Sequence, residues 1–121
     1  MKVCLSATAK TLESNLDPRF GRCPYFLIYD TGTQQTTFVD NTSQQSSGGA
    51  GIKAAEAVAH QQVNLVITGN IGPNAYRTLQ AADIQVITGA SGSLQEVLEN
   101  YQKGLYKKTA APTVESHHGM R

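Results

Sequence analysis

"VITGNIGPNAYRTLQAADIQVITGASG", residues 66–92, writes one unit twice: "VITGNIG" at 66–72 and "VITGASG" at 86–92. Each copy reads as a short buried strand, a Thr-Gly-x-x-Gly turn and the start of a helix. Residues 64–68 (NLVIT) and 84–88 (IQVIT) are the strands, apolar runs too short for helices. Pro73 suits the first residue of the helix between them, with Ala75, Leu79 and Ala82 on one face. Strand, helix, strand is the crossover that joins parallel neighbours.

Upstream the pattern differs. Residues 2–7 (KVCLSA) alternate Val3 and Leu5 as a strand. A polar loop, 8–23, follows. Residues 24–30 (PYFLIYD) are rich in aromatic and β-branched types and predict a second strand. "TGTQ" predicts a hairpin turn with Gly32 at positive φ, and 35–40 (QTTFVD) a third strand antiparallel to the second. From Ile52, the apolar residues Ile52, Ala55, Ala59 and Val63 approach helical spacing. Downstream, Ser93 and Glu96 make a capping box, opening a helix with Leu94, Val97, Leu98 and Tyr101 on one face.

The order is therefore β-β-β-α-β-α-β-α in one α/β domain. The expected sheet is five-stranded and mixed, ordered 3-2-1-4-5 with strand 2 antiparallel and three helices, a ribonuclease-H-like motif. The domain spans 1–106, and 107–121 is expected as a flexible polar tail. The 121 residues carry 40% hydrophobic and 16% charged side chains and a net charge of +1, which fits a globular chain and gives no argument for nucleic acid. No apolar run reaches a membrane span, and the N-terminus is too polar for a secretory signal. The expectation is a cytoplasmic protein. Two cysteines form no disulfide framework there.

In that sheet, strands 1, 3, 4 and 5 run the same way, so loops 8–23, 41–51, 69–73 and 89–93 share one edge. Open α/β sheets bind ligands there. The edge gathers Gly49, Gly69, Gly72, Gly89 and Ser91, whose turns present backbone N–H groups at helix N-termini, where anions bind. The plainer reading of these glycines is economy of turns. Arg19 and Arg22 can pair with an anion, and Asn70 and Asn74 can hydrogen-bond it. The result is an expected anion-accepting crevice.

The anion is constrained by what is missing. "SGGAGIKAA" lacks the Lys-Ser/Thr of a phosphate-binding loop, and "TGNIGPNA" lacks GxGxxG spacing. Strand 1 has Cys4 and Ser6 where a two-metal nuclease needs carboxylates. Asp17, Asp30, Asp40 and Asp83 fall at turns or element ends, and His60 near a helix end. No nucleophile–base–orienter set is evident, so no enzyme is expected. Cys23 adjoins Arg22, a cation that favours the thiolate, a soft ligand suited to iron–sulfur species or copper(I); the alternative is a half-buried packing residue. Cys4 is expected to be buried as a small apolar residue. His117 and His118 are candidate metal ligands. These side chains are too few for a four-thiolate cluster, so any cluster would be loosely held or carried ready-made.

"DPRFGRCPYFLIYD" (17–30), "SGGAGIKAAEAVA" (47–59) and the stretch from Val66 to Tyr106 together resemble the dinitrogenase iron–molybdenum cofactor biosynthesis family. The resemblance covers roughly residues 1–106. It implies a ribonuclease-H-like domain without nuclease activity, in a family whose members include carriers of iron–molybdenum cofactor or its iron–sulfur precursor and others with no settled function. The implied function is a non-enzymatic carrier of an anionic metal–sulfur cluster, with cluster-assembly proteins or an ATPase as partners. The rivals are a small regulatory or adaptor domain docking on such a partner through the same edge, and a hydrolase of phosphorylated small molecules.

Overall fold

The computed structural model describes residues 1–44 and 48–113. Its elements are β1 (Lys2–Ala7), β2 (Tyr25–Asp30), β3 (Thr36–Asp40), α1 (Ala50–His60), β4 (Leu65–Ile67), α2 (Pro73–Ala81), β5 (Gln85–Ile87) and α3 (Leu94–Gln102). The sheet is ordered β3-β2-β1-β4-β5. β2 is antiparallel to β1 and β3, while β1, β4 and β5 are parallel. This is the expected mixed α/β sheet.

β1 is central and apolar because both its faces are covered. Val3, Leu5 and Ala7 join Leu27, Leu65, Ile67 and Ile87 beneath Leu94, Val97 and Leu98 of α3. Cys4 points the other way, with Phe26, Ile28, Val66 and Val86, against Ala54, Val58, Ala75 and Leu79 of α1 and α2. Side chains alternate across a strand, so one strand feeds two cores. Leu5, Leu79 and Leu94 are fully buried, and each such side chain contributes about 1.5–3 kcal/mol. Cys4 is buried as expected.

Three expectations shift. First, α1 begins at Ala50 and buries Ala50, Ala54, Ala55 and Val58. The predicted stripe began at Ile52, which is only half-buried, and ran to Val63, which lies beyond the helix after Gln62 at φ 60°. Small alanines occupy the face that packs on α2, so size rather than hydrophobicity marks it. Second, the left-handed residue of the hairpin turn is Gln34 (φ 62°), not Gly32. Asp30 Oδ1 accepts the N–H groups of Gly32 (2.8 Å) and Thr33 (3.3 Å). That Asx-type turn carries the reversal one step later. Third, the segment after Leu105 is hydrogen-bonded back onto the domain as far as Thr113, with Thr109 on β5 and Thr113 on Ile71. Beyond Tyr106, which packs on the α3 side of the core, backbone groups and threonine hydroxyls rather than apolar side chains make these contacts, so no hydrophobic pattern announced them.

Candidate functional site

The end of loop 8–23 is fixed at the carboxyl ends of β1 and β4. Asp17 N–H donates to the Ser6 carbonyl (2.8 Å), and Ser6 Oγ donates to the Asp17 carbonyl (2.6 Å). Ser6 Oγ also lies 2.8 Å from Thr68 Oγ1. All three residues are buried, and their polar groups satisfy one another. The chain then runs beside the first of the echoed turns: Asn70 N–H donates to the Pro18 carbonyl (2.7 Å) and Phe20 N–H to that of Asn70 (3.4 Å). A Cβ on Gly69 would lie 2.7 Å from Pro18 Cα, so only glycine admits this approach. Phe20 is buried and tilts against Phe26, with ring centroids 5.5 Å apart. Gly21 passes over the first turn of α1 so closely that a Cβ there would lie 2.9 Å from Gly51 Cα. The second echoed turn lies beside the first, Gly89 N–H donating to Gly69 O at 2.9 Å.

These contacts enclose a crevice of about 540 Å³, the size of a small-ligand site. One wall is Arg19–Arg22, the second is the start of α1 from Gly49 to Ile52, and the third is Asn70–Ala75 at the start of α2. First-turn amides have no partner within their own helix. Neither Gly49 of α1 nor Gly72 of α2 supplies a side-chain cap. α3 differs: Ser93 accepts from Glu96 N–H (3.1 Å), and the Glu96 carboxylate accepts from Ser93 N–H (3.1 Å). Hydrogen bonding to the carboxyl of Glu96, first from the Ser93 N–H and then from its side chain, holds that carboxyl below its ordinary range. Among the described residues, two helices thus aim uncapped, partly positive ends into the crevice, whereas the third is closed by its own residues.

Of the expected site residues, Arg19, Arg22, Gly49, Asn70, Gly72 and Asn74 line the crevice. Gly69, Cys23, Gly89 and Ser91 are not on its wall. Asp17, almost fully buried, accepts from Arg19 N–H (2.9 Å), Nε (3.2 Å) and Nη2 (3.2 Å). These hydrogen bonds hold Arg19 firmly protonated, although its side chain is largely exposed. Arg22 Nη1 donates to the Gln44 carbonyl (2.7 Å). Cys23 is not the expected thiolate. Burial, then the negative charge of Asp17, pushes its thiol up to about 12, and Sγ donates to the Phe20 carbonyl (3.2 Å). Arg22 does not offset this. His117 and His118 lie outside the described residues. Among the described residues, no three His, Cys, Asp or Glu side chains gather as a metal-binding group.

The candidate site residues left out Phe20, Gly21, Ala50, Gly51, Ile52, Ile71, Pro73 and Ala75, which also line the wall. A signal for sorting the turns was present: the Ser93–Glu96 pair that closes α3 also marks its turn as the one not open to a ligand.

The profile of the family described as dinitrogenase iron-molybdenum cofactor matches residues 1–104. The chain is 33% identical to the apo form of the orange protein from Desulfovibrio gigas, with a TM-score of 0.90 over 93% of this chain and 95% of that one. The Thermotoga protein TM1290 is 32% identical, with a TM-score of 0.79 over 88% and 91% of the two chains. MJ0580 of Methanocaldococcus jannaschii is 30% identical over 112 residues, 89% of this chain and 95% of that protein.

Proposed function

The chain belongs to the dinitrogenase iron-molybdenum cofactor family, and on that premise we propose that it is a non-enzymatic carrier of a preassembled, anionic metal–sulfur cluster. The cluster is cargo held in the crevice between Arg19–Arg22 and the first turns of α1 and α2. The observation that carries this reading is the convergence on one hollow of about 540 Å³ of two arginines and two helix N-termini that no side chain caps among the described residues. Backbone N–H groups and guanidinium groups bind an anion without donating a ligand electron pair to its metal. A buried, protonated Cys23 fits that mode and does not fit a thiolate-ligated cluster. Apolar wall atoms from Phe20, Ile52 and Pro73 suit a cargo that is bulky and weakly hydrated. The relative with a TM-score of 0.90, the orange protein, was solved in an apo form, which supports a group that can be absent from a folded protein of this shape. The partners this reading calls for are the proteins that build the cluster and receive it.

The test is anaerobic incubation with tetrathiomolybdate, a coloured molybdenum–sulfur dianion, and separately with an iron–sulfur cluster donor, followed by gel filtration and metal analysis. Colour and metal should co-elute with the protein. Arg22→Ala should weaken retention by about 10- to 100-fold, the range of a charge-assisted contact, and added salt should weaken it further. Cys23→Ala should retain the cargo. A colourless, metal-free protein after both incubations refutes the carrier reading.

A further inference from the structure

The segment after α3 returns to the crevice from behind. Thr109 N–H donates to the Val86 carbonyl of β5 (2.6 Å), and Thr88 N–H donates to Thr109 Oγ1 (2.9 Å). Tyr76 Oη of α2 donates to the Thr109 carbonyl (3.2 Å). Four residues on, Thr113 grips Ile71 at both backbone groups: its N–H donates to Ile71 O (3.0 Å), and its Oγ1 accepts from Ile71 N–H (2.9 Å). Ile71 stands between Asn70 and Gly72 on the crevice wall. Apart from the half-buried Thr109, residues 107–113 are exposed, so docking rests on a few hydrogen bonds and little apolar burial. Such a segment opens at low free energy.

We propose that residues 107–113 are a latch whose docking on Ile71 is coupled to loading of the crevice; this deepens, and rests on, the anion-binding reading above. The docked latch fixes the backbone of the 69–72 turn. A ligand in the crevice contacts the same turn and favours the same fixed geometry. Each event lowers the ordering that the other requires, so docking and loading support one another. Linkage makes the effect reciprocal: loading tightens the latch by the factor by which the latch tightens loading. The unloaded carrier therefore undocks residues 107–113 more often than the loaded one. A receiving partner could distinguish the two by that difference.

Lys107 and Lys108 place trypsin sites in the latch, and cleavage there reports the undocked population. The measurement is the rate of cleavage after Lys107 or Lys108 in the full chain, read by intact mass, with and without saturating tetrathiomolybdate. Loading should slow cleavage about fivefold, and Thr113→Val should weaken tetrathiomolybdate binding by a similar factor while speeding cleavage. Thr109→Val, remote from the crevice wall, should act in the same direction. A thermal midpoint within a few degrees of the unsubstituted chain shows that each variant is folded. Binding with an unchanged cleavage rate overturns the latch and leaves the crevice reading standing. No binding at all overturns both.

Discussion

Cys23 follows Arg22 directly, yet its thiol stays protonated far into the alkaline range. The arginine reaches the Gln44 carbonyl, while Sγ is enclosed with the Phe20 carbonyl as its acceptor and Asn41 Nδ2 at 3.8 Å. Desolvation is the largest influence and Asp17 adds to it, taking the thiol from an ordinary 9.0 to about 12. The buried Cys4 shifts the same way. Below pH 9 both folded and unfolded thiols hold their protons, so neither makes stability depend on pH. Between about 9 and 12 only the unfolded chain releases the Cys23 proton, so stability falls as pH rises. Urea unfolding midpoints should therefore be level from pH 7 to 8.5 and drop above 9, and Cys23→Ala should remove part of that slope. Iodoacetamide at pH 8 should alkylate the native thiol at least about 100-fold more slowly than the urea-unfolded one, because access requires opening. Equal rates would sink the burial account. Sequence adjacency suggested the opposite charge state because it shows a neighbour along the chain but not which way that neighbour's side chain turns.

At the scale of elements, the three helix starts differ in a way that separates stability from binding. Gly72 heads α2 with φ −81° and ψ 170°, the extended geometry of an ordinary N-cap. A Cβ there would meet nothing within 4 Å. Asp at this position is sterically free and would satisfy the first-turn amides of α2, gaining a few tenths to about 1 kcal/mol. The glycine thus leaves available stability unused and keeps the amides open. Gly72→Asp should raise the unfolding midpoint slightly and weaken tetrathiomolybdate binding at least about tenfold, since a fixed carboxylate competes for the same donors. Calorimetry beside a binding titration checks both halves, and unchanged affinity would remove the α2 amides from the site. Strand–turn–helix units were legible from the echo at 66–72 and 86–92, because turn chemistry is local. Which of the two turns faces a ligand depends on the capping of the helix that follows, and only the TGNIG copy leads into an uncapped one.

Across the whole molecule, the sheet divides the apolar interior into two clusters with different duties. α3 and the α3-facing side chains of the strands form one, away from the crevice; α1, α2 and the Phe20–Cys23 segment form the other, directly beneath it. Strand order and the shared rim of loops were readable from element order alone, since few topologies satisfy the chain's connections. The latch was not, because "KKTAAPT" has no periodicity and its contacts join residues far apart in sequence. The division makes a final pair of variants informative. Leu94, the first residue of α3, is fully buried against the sheet, and Leu94→Ala should cost about 2–5 kcal/mol, lowering Tm by roughly 10 °C or more. A domain of ordinary stability, about 5–15 kcal/mol, still leaves a folded majority at low temperature. With the crevice untouched, tetrathiomolybdate affinity should stay within about twofold. Gly21→Ala is the converse. Its Cβ would sit 2.9 Å from Gly51 Cα and N, so the Arg19–Arg22 segment must lift from the start of α1. The overpacking costs about 1–3 kcal/mol, no more than the Leu94 truncation, yet affinity should fall at least about tenfold because two walls of the crevice separate. Scanning calorimetry and equilibrium titration at 10 °C measure the two quantities independently. If affinity in both variants simply follows stability, binding is a property of the intact fold at large, and the crevice between the two helix starts is not its seat.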